Sequence, residues 1–160
     1  MLFRSTNAGQ IRGAVEKVLA LDILINNAGV DLHNDLSDRA NLERHLAVNL
    51  FGTYAVSQAF LPLVARSHGA MVNVLSLAAL ASVPFTPAYS VSKAAAFSLT
   101  QSLRALWAGR GVKVHAVFAG PVDTDMTRYL DIPKFSPESV ARGILDSLEK
   151  GDEEDRKSVV

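Results

Sequence analysis

The chain has 160 residues, of which 49% are hydrophobic and 20% are charged, a composition typical of a globular domain with a real core. Sixteen basic side chains balance sixteen acidic ones, so net charge gives no reason to expect a nucleic acid or an anionic membrane as partner. The sequence has no cysteine, which excludes disulfides, thiolate chemistry and cysteine-based zinc sites.

Neither a metal site nor a membrane segment is indicated by the sequence. The four histidines lack the i, i+4 pairing of metal ligands, so we interpret them as surface or loop side chains; they are His33, His45, His68 and His115. No apolar run reaches membrane-spanning length, and no signal peptide pattern opens the chain. We therefore expect a cytoplasmic protein.

Helices and strands alternate in the predicted elements. Apolar residues at helical spacing predict helices over about 8–20, 42–65, 89–107 and 137–150. Ser136 is the expected N-cap of the last helix, with Pro137 at its first position. Short apolar runs bounded by turn residues predict buried strands over 21–26, 70–75 and 112–118.

This alternation predicts an α/β fold: one domain with a doubly wound parallel sheet of about three strands and helices on both faces. Ligands of such sheets bind beyond the carboxyl ends of the strands. Candidate site residues follow each predicted strand, so we expect them to meet at one edge of the sheet. They are Asn27, Gly29, Ser76, Gly120 and Thr124.

Tyr89 and Lys93 are the most informative pair. On a helix, this i, i+4 spacing places the phenol and the ammonium on one face. A lysine about 4 Å away contributes on the order of 4 kcal/mol, enough to lower the tyrosine pKa by up to ~3 units towards general acid–base work. Ser76 would then hold a carbonyl or hydroxyl oxygen. Taken alone, the pair is weak evidence, and a solvated helix surface explains it better.

Five motifs occur together in a fixed order. They are Asn26-Asn27-Ala28-Gly29, Val48-Asn49-Leu50-Phe51-Gly52, Ser76, Tyr89-x-x-x-Lys93 and Gly120-Pro121-Val122-Asp123-Thr124. Through them the chain resembles the short-chain dehydrogenase/reductase (SDR) family over about residues 8–150. One departure is Ala119, where the family usually has proline.

The resemblance implies hydride transfer between NAD or NADP and a small-molecule alcohol or ketone. It assigns catalysis to Asn49, Ser76, Tyr89 and Lys93, with Tyr89 as the acid or base and Lys93 lowering its pKa. Asn49 would distort its helix locally and bind a water that links Lys93 to solvent. A homodimer or homotetramer is implied for a full-length protein.

The same resemblance implies the cofactor contacts. The expected residues are Asn26, Asn27, Ala28, Gly29, Tyr89, Lys93, Gly120, Val122 and Thr124. Residues 126–135 would form a mobile lid over a mostly apolar substrate pocket. Each of these positions also has a plain structural explanation, as a turn residue, an N-cap or a core side chain.

Parts of the family pattern are missing. No Gly-x-x-x-Gly-x-Gly turn for a pyrophosphate occurs in the sequence. We therefore interpret residues 1–154 as a partial Rossmann-like domain without the family's first three strands and without its last strand. Residues 155–160 are interpreted as a non-native tail. The first predicted strand then becomes an exposed apolar edge, and we expect the 160-residue chain to be poorly soluble and inactive.

Two other functions stay open. The chain could be a catalytically inactive remnant that acts at most as a dimerisation or interaction module, although such a module has no reason to keep Asn49, Ser76, Tyr89 and Lys93. A methyltransferase of similar sheet order does not explain Tyr89 and Lys93.

Overall fold

The computed structural model describes residues 4–33 and 35–155. Five α-helices and four strands alternate along this part of the chain: α1 (Ala8–Val15), β1 (Ile23–Asn26), α2 (Arg39–His45), α3 (Thr53–Arg66), β2 (Ala70–Ser76), α4 (Pro87–Trp107), β3 (Lys113–Ala119), α5 (Pro137–Lys150) and β4 (Glu154–Asp155). A π-helical segment, Leu46–Gly52, joins α2 to α3 without a break. The predicted helix over 42–65 is therefore one longer helical run.

The four strands form one parallel sheet in the order β1-β2-β3-β4. Ala70 of β2 pairs with Ile23 of β1 and with Lys113 of β3, so the three longer strands begin in step. This confirms the predicted α/β fold and its three parallel strands. β2 and β3 also end together, at Ser76 and Ala119, whereas β1 ends at Asn26, level with Asn73. The residues that follow all three strands line a cleft at this edge of the sheet.

β4 corrects the expectation that no strand follows the last helix. Glu154 and Asp155 pair with Ala116 and Val117 of β3. Arg104 of α4 supports this pairing, since its Nη2 donates to the Glu153 carbonyl at 2.7 Å. The sequence did not indicate the strand because two acidic residues carry no apolar pattern. Asp155 of the predicted tail thus lies in the sheet, and residues 156–160 fall outside the described residues.

Helices cover the two faces of the sheet unequally. On one face, Leu103 and Trp107 of α4 pack against Met71 and Val114. On the other, α5 is the one helix among the described residues that packs against the sheet, with Val140 and Ile144 on Val72 and Val117. This second layer does not reach β1, whose Ile23 and Ile25 are 42% and 48% exposed. The apolar edge expected from the sequence is therefore present at β1.

The helical run Arg39–Arg66 is long and apolar enough to cross a membrane by length and composition alone. Half of its most apolar stretch of 18 residues is buried inside the fold. Val64, for example, is fully buried in the cluster that also contains Met71 and Trp107. A core helix of a globular domain meets the same test, so this run does not indicate a membrane protein.

A buried chain of polar side chains crosses the sheet. Asn26 of β1 donates to Ser57 Oγ at 2.9 Å and to Asn73 Oδ1 at 2.8 Å. Asn73 of β2 in turn donates to Thr100 Oγ1 at 2.9 Å, and that hydroxyl donates to the Ala96 carbonyl at 2.7 Å. Because each buried polar group has a partner, these bonds fix β1, β2, α3 and α4 relative to one another.

We predict that Asn73→Ala lowers the free energy of unfolding by about 2–4 kcal/mol. The substitution leaves a void at a residue that is 1% exposed and removes one partner each from Asn26 and Thr100. Urea unfolding followed by the fluorescence of Trp107 measures this. Ser102→Ala removes only an exposed hydroxyl on α4 and is expected to change stability by less than about 0.5 kcal/mol. Equal effects of the two substitutions would contradict the proposed importance of the network.

Candidate active site

A cleft of about 940 Å³ lies at the edge where β1, β2 and β3 end. The predicted residues Asn27, Ala28 and Gly29 line it after β1, as do Ser76 at the end of β2 and Gly120, Val122 and Thr124 after β3. Tyr89 and Lys93 of α4 complete this set. The structure therefore brings together all the predicted site residues except Asn26 and Asn49, which do not line the cleft.

Ser76 and Tyr89 form a hydrogen-bonded pair on the wall of the cleft. Ser76 is the last residue of β2, and its Oγ also accepts from the Ala78 amide at 3.2 Å. Tyr89 lies in the first turn of α4, which starts at Pro87 because proline suits the first position of a helix. The strand end and the helix start thus place two hydroxyl groups side by side.

Lys93 lies one helical turn beyond Tyr89 and is almost entirely buried, with 6% of its surface exposed. Its Nζ donates to the Val74 carbonyl at 2.9 Å and stands 5.6 Å from the centre of the Tyr89 ring. Burial disfavours the charged form and lowers the pKa of Lys93 to about 8. The structure therefore places the phenol and the ammonium on one helix face, as predicted.

The pKa of Tyr89 is raised in this structure, not lowered as expected from the sequence. Burial is the main cause that raises the pKa of Tyr89 to about 12; the hydrogen bond with Ser76 opposes this rise, and the negative charge of Asp31 adds to it. Lys93 does not offset the burial, because its ammonium faces the ring and the Val74 carbonyl. The phenol therefore stays protonated through neutral pH.

Asn49 sits inside the π-helical segment and ties three parts of the chain together. Its Oδ1 accepts from the Val30 amide at 2.8 Å. Its Nδ2 donates to the Val30 carbonyl and to Ser92 Oγ, both at 2.9 Å. Ser92 Oγ donates on to the Tyr89 carbonyl at 2.7 Å. Asn49 thus holds the loop after β1 against the helix that carries Tyr89, and π-helical segments are frequent at such sites.

Glycine suits the position where the loop after β1 passes this clamp. A Cβ atom at Gly29 would lie 3.3 Å from Asn49 Oδ1, which is a tight contact, and 3.7 Å from Lys93 Nζ, which is an ordinary one. A side chain here would therefore press on the amide of Asn49. Asn26, three residues earlier, points into the sheet towards Ser57 and Asn73 rather than to the cleft. Its predicted cofactor contact would therefore have to come from its backbone, and it stays a prediction.

The segment after β3 closes the opposite side of the cleft. Thr124 caps a short turn, Asp125–Thr127, by a reciprocal capping box with Thr127. Val122 pairs with Phe135 through an isolated bridge, which returns the segment to the edge of the sheet. Both Val122 and Thr124 are therefore held facing the cleft by local backbone bonds. Residues 126–135, the predicted lid, contribute Met126, Tyr129, Leu130 and Ile132 to its lining.

Two histidines correct the sequence interpretation, because His45 and His115 are buried, with 0% and 4% of their surfaces exposed. His45 Nδ1 donates to the Asn41 carbonyl at 2.8 Å, and its Nε2 accepts from the Leu32 amide at 3.0 Å. Since a carbonyl only accepts, the ring is the neutral tautomer with its proton on Nδ1. No cluster of metal ligands occurs among residues 4–33 and 35–155.

Asp31 and Tyr129 line the cleft but were not singled out from the sequence. The charge of Asp31 raises the pKa of both Tyr89 and Tyr129, so the carboxylate stands near both phenols. A signal for Asp31 existed, because an acidic residue lies two positions after Gly29 on the strand-end loop. Tyr129 gave no such signal, since its place depends on how the segment after β3 folds back.

We predict that the stability difference between the native chain and Lys93→Met depends on pH. The pKa of Lys93 is depressed in the fold, so below about pH 8 its charge destabilises the fold, and this penalty disappears as pH rises towards 10.5. Between pH 7.5 and 10 the native chain should therefore gain about 2 kcal/mol relative to Lys93→Met. Denaturant unfolding at both pH values tests this, and Lys113→Met, at an exposed position on β3, serves as the control. A constant difference would contradict the buried state of the ammonium.

Comparison with known proteins places the chain in a family. Residues 5–133 match the family described as short chain dehydrogenase. Galactitol 2-dehydrogenase (L-tagatose-forming) of Cereibacter sphaeroides is 43% identical over 117 residues, which cover 70% of this chain and 46% of that enzyme. 2-(R)-hydroxypropyl-CoM dehydrogenase of Xanthobacter autotrophicus is 32% identical over 139 residues, which cover 82% and 56%.

A solved structure is similar throughout the described fold. The crystal structure of a short chain dehydrogenase from Burkholderia cenocepacia in complex with NADP superposes with a TM-score of 0.90 at 35% identity, covering 94% of this chain and 66% of that one. The chain spans about half the length of the two curated relatives above. Its matched motifs, parallel sheet and strand-end cleft agree with these findings, and the chain belongs to the short-chain dehydrogenase family.

Proposed function

We propose that the protein is an NAD(P)-dependent oxidoreductase that transfers hydride between a nicotinamide cofactor and a small-molecule alcohol or ketone. The observation that carries this proposal is the group of three side chains on the cleft wall. Ser76 and Tyr89 share a hydrogen bond, and the Lys93 ammonium lies 5.6 Å from the Tyr89 ring. Two hydroxyl groups at one point can bind one carbonyl oxygen.

Tyr89 serves as the general acid in this proposal. With a pKa of about 12 the phenol is protonated at neutral pH, the state needed to give a proton to a carbonyl oxygen during reduction. Ser76 donates a second hydrogen bond to the same oxygen and so stabilises the charge that develops there. In the opposite direction Tyr89 would first have to lose this proton, and the same group would then act as the general base.

Lys93 and Asn49 support the tyrosine in different ways. The Lys93 ammonium carries three donors, of which the bond to Val74 uses one, so it can also hold hydroxyl groups of a ribose. Asn49 acts as a positioning residue, since its side-chain amide is fully engaged with Val30 and Ser92. The water that the resemblance assigns to Asn49 would thus have to bind its backbone carbonyl rather than its side chain.

The cleft fits one half of a dinucleotide. Gly29 lets the backbone approach Lys93 closely, and Val122 and Thr124 face the same space, which suits a ribose and a nicotinamide carboxamide. The similar Burkholderia cenocepacia enzyme is crystallised with NADP. When bound, the cofactor supplies or accepts the hydride. NAD and NADP both remain proposed, because the residues described do not include a site for the ribose phosphate.

The substrate side of the cleft is mostly apolar. Leu77, Val83 and Phe85 line it from the segment between β2 and α4, and residues of the predicted lid line it from the other side. One relative bears the name galactitol 2-dehydrogenase, which is consistent with an alcohol or ketone substrate here. The cytoplasmic location predicted from the sequence stays a prediction.

We predict that Tyr89→Phe abolishes turnover. Because the 160-residue chain itself is expected to be inactive, the assay uses residues 5–155 fused behind the N-terminal part of the Burkholderia cenocepacia dehydrogenase, which is similar in fold. Loss of the acid should lower kcat by on the order of 10²–10⁴, with cofactor affinity nearly unchanged. NADPH and NADH oxidation with a panel of ketones measures kcat, and fluorescence titration measures cofactor binding.

Tyr54→Phe is the matched control for this experiment, since Tyr54 of α3 is 47% exposed and does not line the cleft. It should leave kcat unchanged. Retained turnover in Tyr89→Phe would overturn the role of the phenol, and loss of cofactor affinity with an unchanged rate would do so as well.

A second candidate function is self-association without catalysis. Large apolar side chains are exposed on the long helices, among them Tyr54 of α3 and Val91 and Leu106 of α4. Exposed groups of this kind are typical of interaction surfaces. We predict that the purified chain elutes as a dimer or larger species in size-exclusion chromatography with light scattering. A monomer at high micromolar concentration would contradict this.

A further inference from the structure

Asp31 places a carboxylate on the wall of the cleft without a partner for one of its oxygens. It follows Gly29 by two residues, and its side chain is 13% exposed. The Oδ1 atom is buried and accepts no hydrogen bond. Asp31 and Lys93 are the charged residues among the described residues that line the cleft. A buried acceptor of this kind is costly unless a donor reaches it.

His45 cannot supply this donor. Its Nε2 lies 3.9 Å from Asp31 Oδ1, but that nitrogen already accepts from the Leu32 amide, and the ring proton is on Nδ1. The Nε2 lone pair is therefore used by the Leu32 amide, and this nitrogen has no proton to donate to the carboxylate. His33 attracts the carboxylate electrostatically, yet its ring is engaged edge-to-face with Tyr129 at 5.1 Å between centroids. The Oδ1 atom therefore lies on the His45 side of the carboxylate without a donor, and a molecule in the cleft can reach Asp31 through the 13% of its side chain that is exposed.

The carboxylate also stands close to the proposed reaction centre. Its charge acts on the hydroxyl of Tyr89, which we place at the reacting oxygen, and on that of Tyr129 in the lid segment. A small molecule whose oxygen lies between Ser76 and Tyr89 would occupy the same cleft that Asp31 lines. Much of the remaining wall is apolar, including Leu77, Phe85 and Met126, so it offers few competing polar contacts.

We propose that Asp31 is a specificity-determining residue that accepts a hydrogen bond from a second donor group on the substrate, near the reacting carbon. This inference rests on the proposed function, because Tyr89 defines where the reacting carbon lies. The favoured class consists of vicinal diols and amino alcohols, or the matching hydroxy- and aminoketones. Simple alcohols leave the carboxylate unpaired, and anionic substrates are repelled by it.

Binding of four small probes to the folded 160-residue chain tests the proposal. The probes are 2,3-butanediol, 3-amino-2-butanol, 2-butanol and 3-hydroxybutyrate, and amide NMR titrations give their dissociation constants. The native chain should bind the diol and the amino alcohol at least about tenfold more tightly than 2-butanol. The carboxylate probe should bind more weakly than 2-butanol.

Three variants separate the contributions. Asp31→Ala should remove both preferences, because no acceptor remains. Asp31→Asn keeps an acceptor oxygen but no charge, so it should keep part of the preference for the diol and lose that for the amine. Asp35→Asn is the matched control, since Asp35 is exposed, bonds to Ser37 and does not line the cleft. It should leave all ratios unchanged.

The outcomes also separate this inference from the proposed function. Unchanged ratios in Asp31→Ala, or no binding of any probe to a chain with a dispersed amide spectrum, would overturn the role of Asp31. If the preferences depend on Asp31 but the fused protein shows no turnover that depends on Tyr89, the selectivity stands and the oxidoreductase proposal fails. If turnover depends on Tyr89 but the affinity ratios of the probes do not change in Asp31→Ala, the oxidoreductase proposal stands and the role of Asp31 fails.

Discussion

The common register of the three longer strands is the constraint on which the rest of the structure depends. Ala70 pairs with both Ile23 and Lys113, so β1, β2 and β3 run in step and finish at one edge. Asn27, Ser76 and the residues after Ala119 then meet at the cleft. A shift of one residue in any strand would turn its end residues away from the cleft, since side chains alternate between faces.

Helix α4 brings the chemistry to this edge, and Asn49 fixes its position. The amide of Asn49 binds both backbone groups of Val30 and also Ser92, so the loop after β1 cannot move independently of α4. Lys93 is buried in the same region with one carbonyl as its bonded partner. Burial of this ammonium lowers its pKa to about 8, and burial of the neighbouring phenol raises its pKa to about 12. The protein around these two side chains thus shields them from solvent, which strengthens any charge interaction between them.

Charge is distributed unevenly along the cleft. Lys93 lies at the end where Gly29 approaches, and Asp31 lies towards the two phenols of Tyr89 and Tyr129. A cationic group at one part of the wall suits the hydroxyl groups of a cofactor, and an anionic group at another suits hydrogen-bond donors of a substrate. The same family fold can in this way accept different substrates through a single loop residue.

The sequence by itself determined the parallel α/β fold and most of the cleft. Alternating apolar runs gave the strands, and turn residues at their ends gave Asn27, Gly29, Ser76 and Thr124. The sequence did not indicate β4, because Glu154 and Asp155 have no apolar pattern. They pair with the edge of β3, next to the bond from Arg104 to the Glu153 carbonyl. Only the tertiary structure decided that Asn26 points into the sheet, that the pKa of Tyr89 rises rather than falls, and that Asp31 lacks a donor. Those outcomes depend on burial and on contacts between residues distant in sequence, and a linear pattern contains neither.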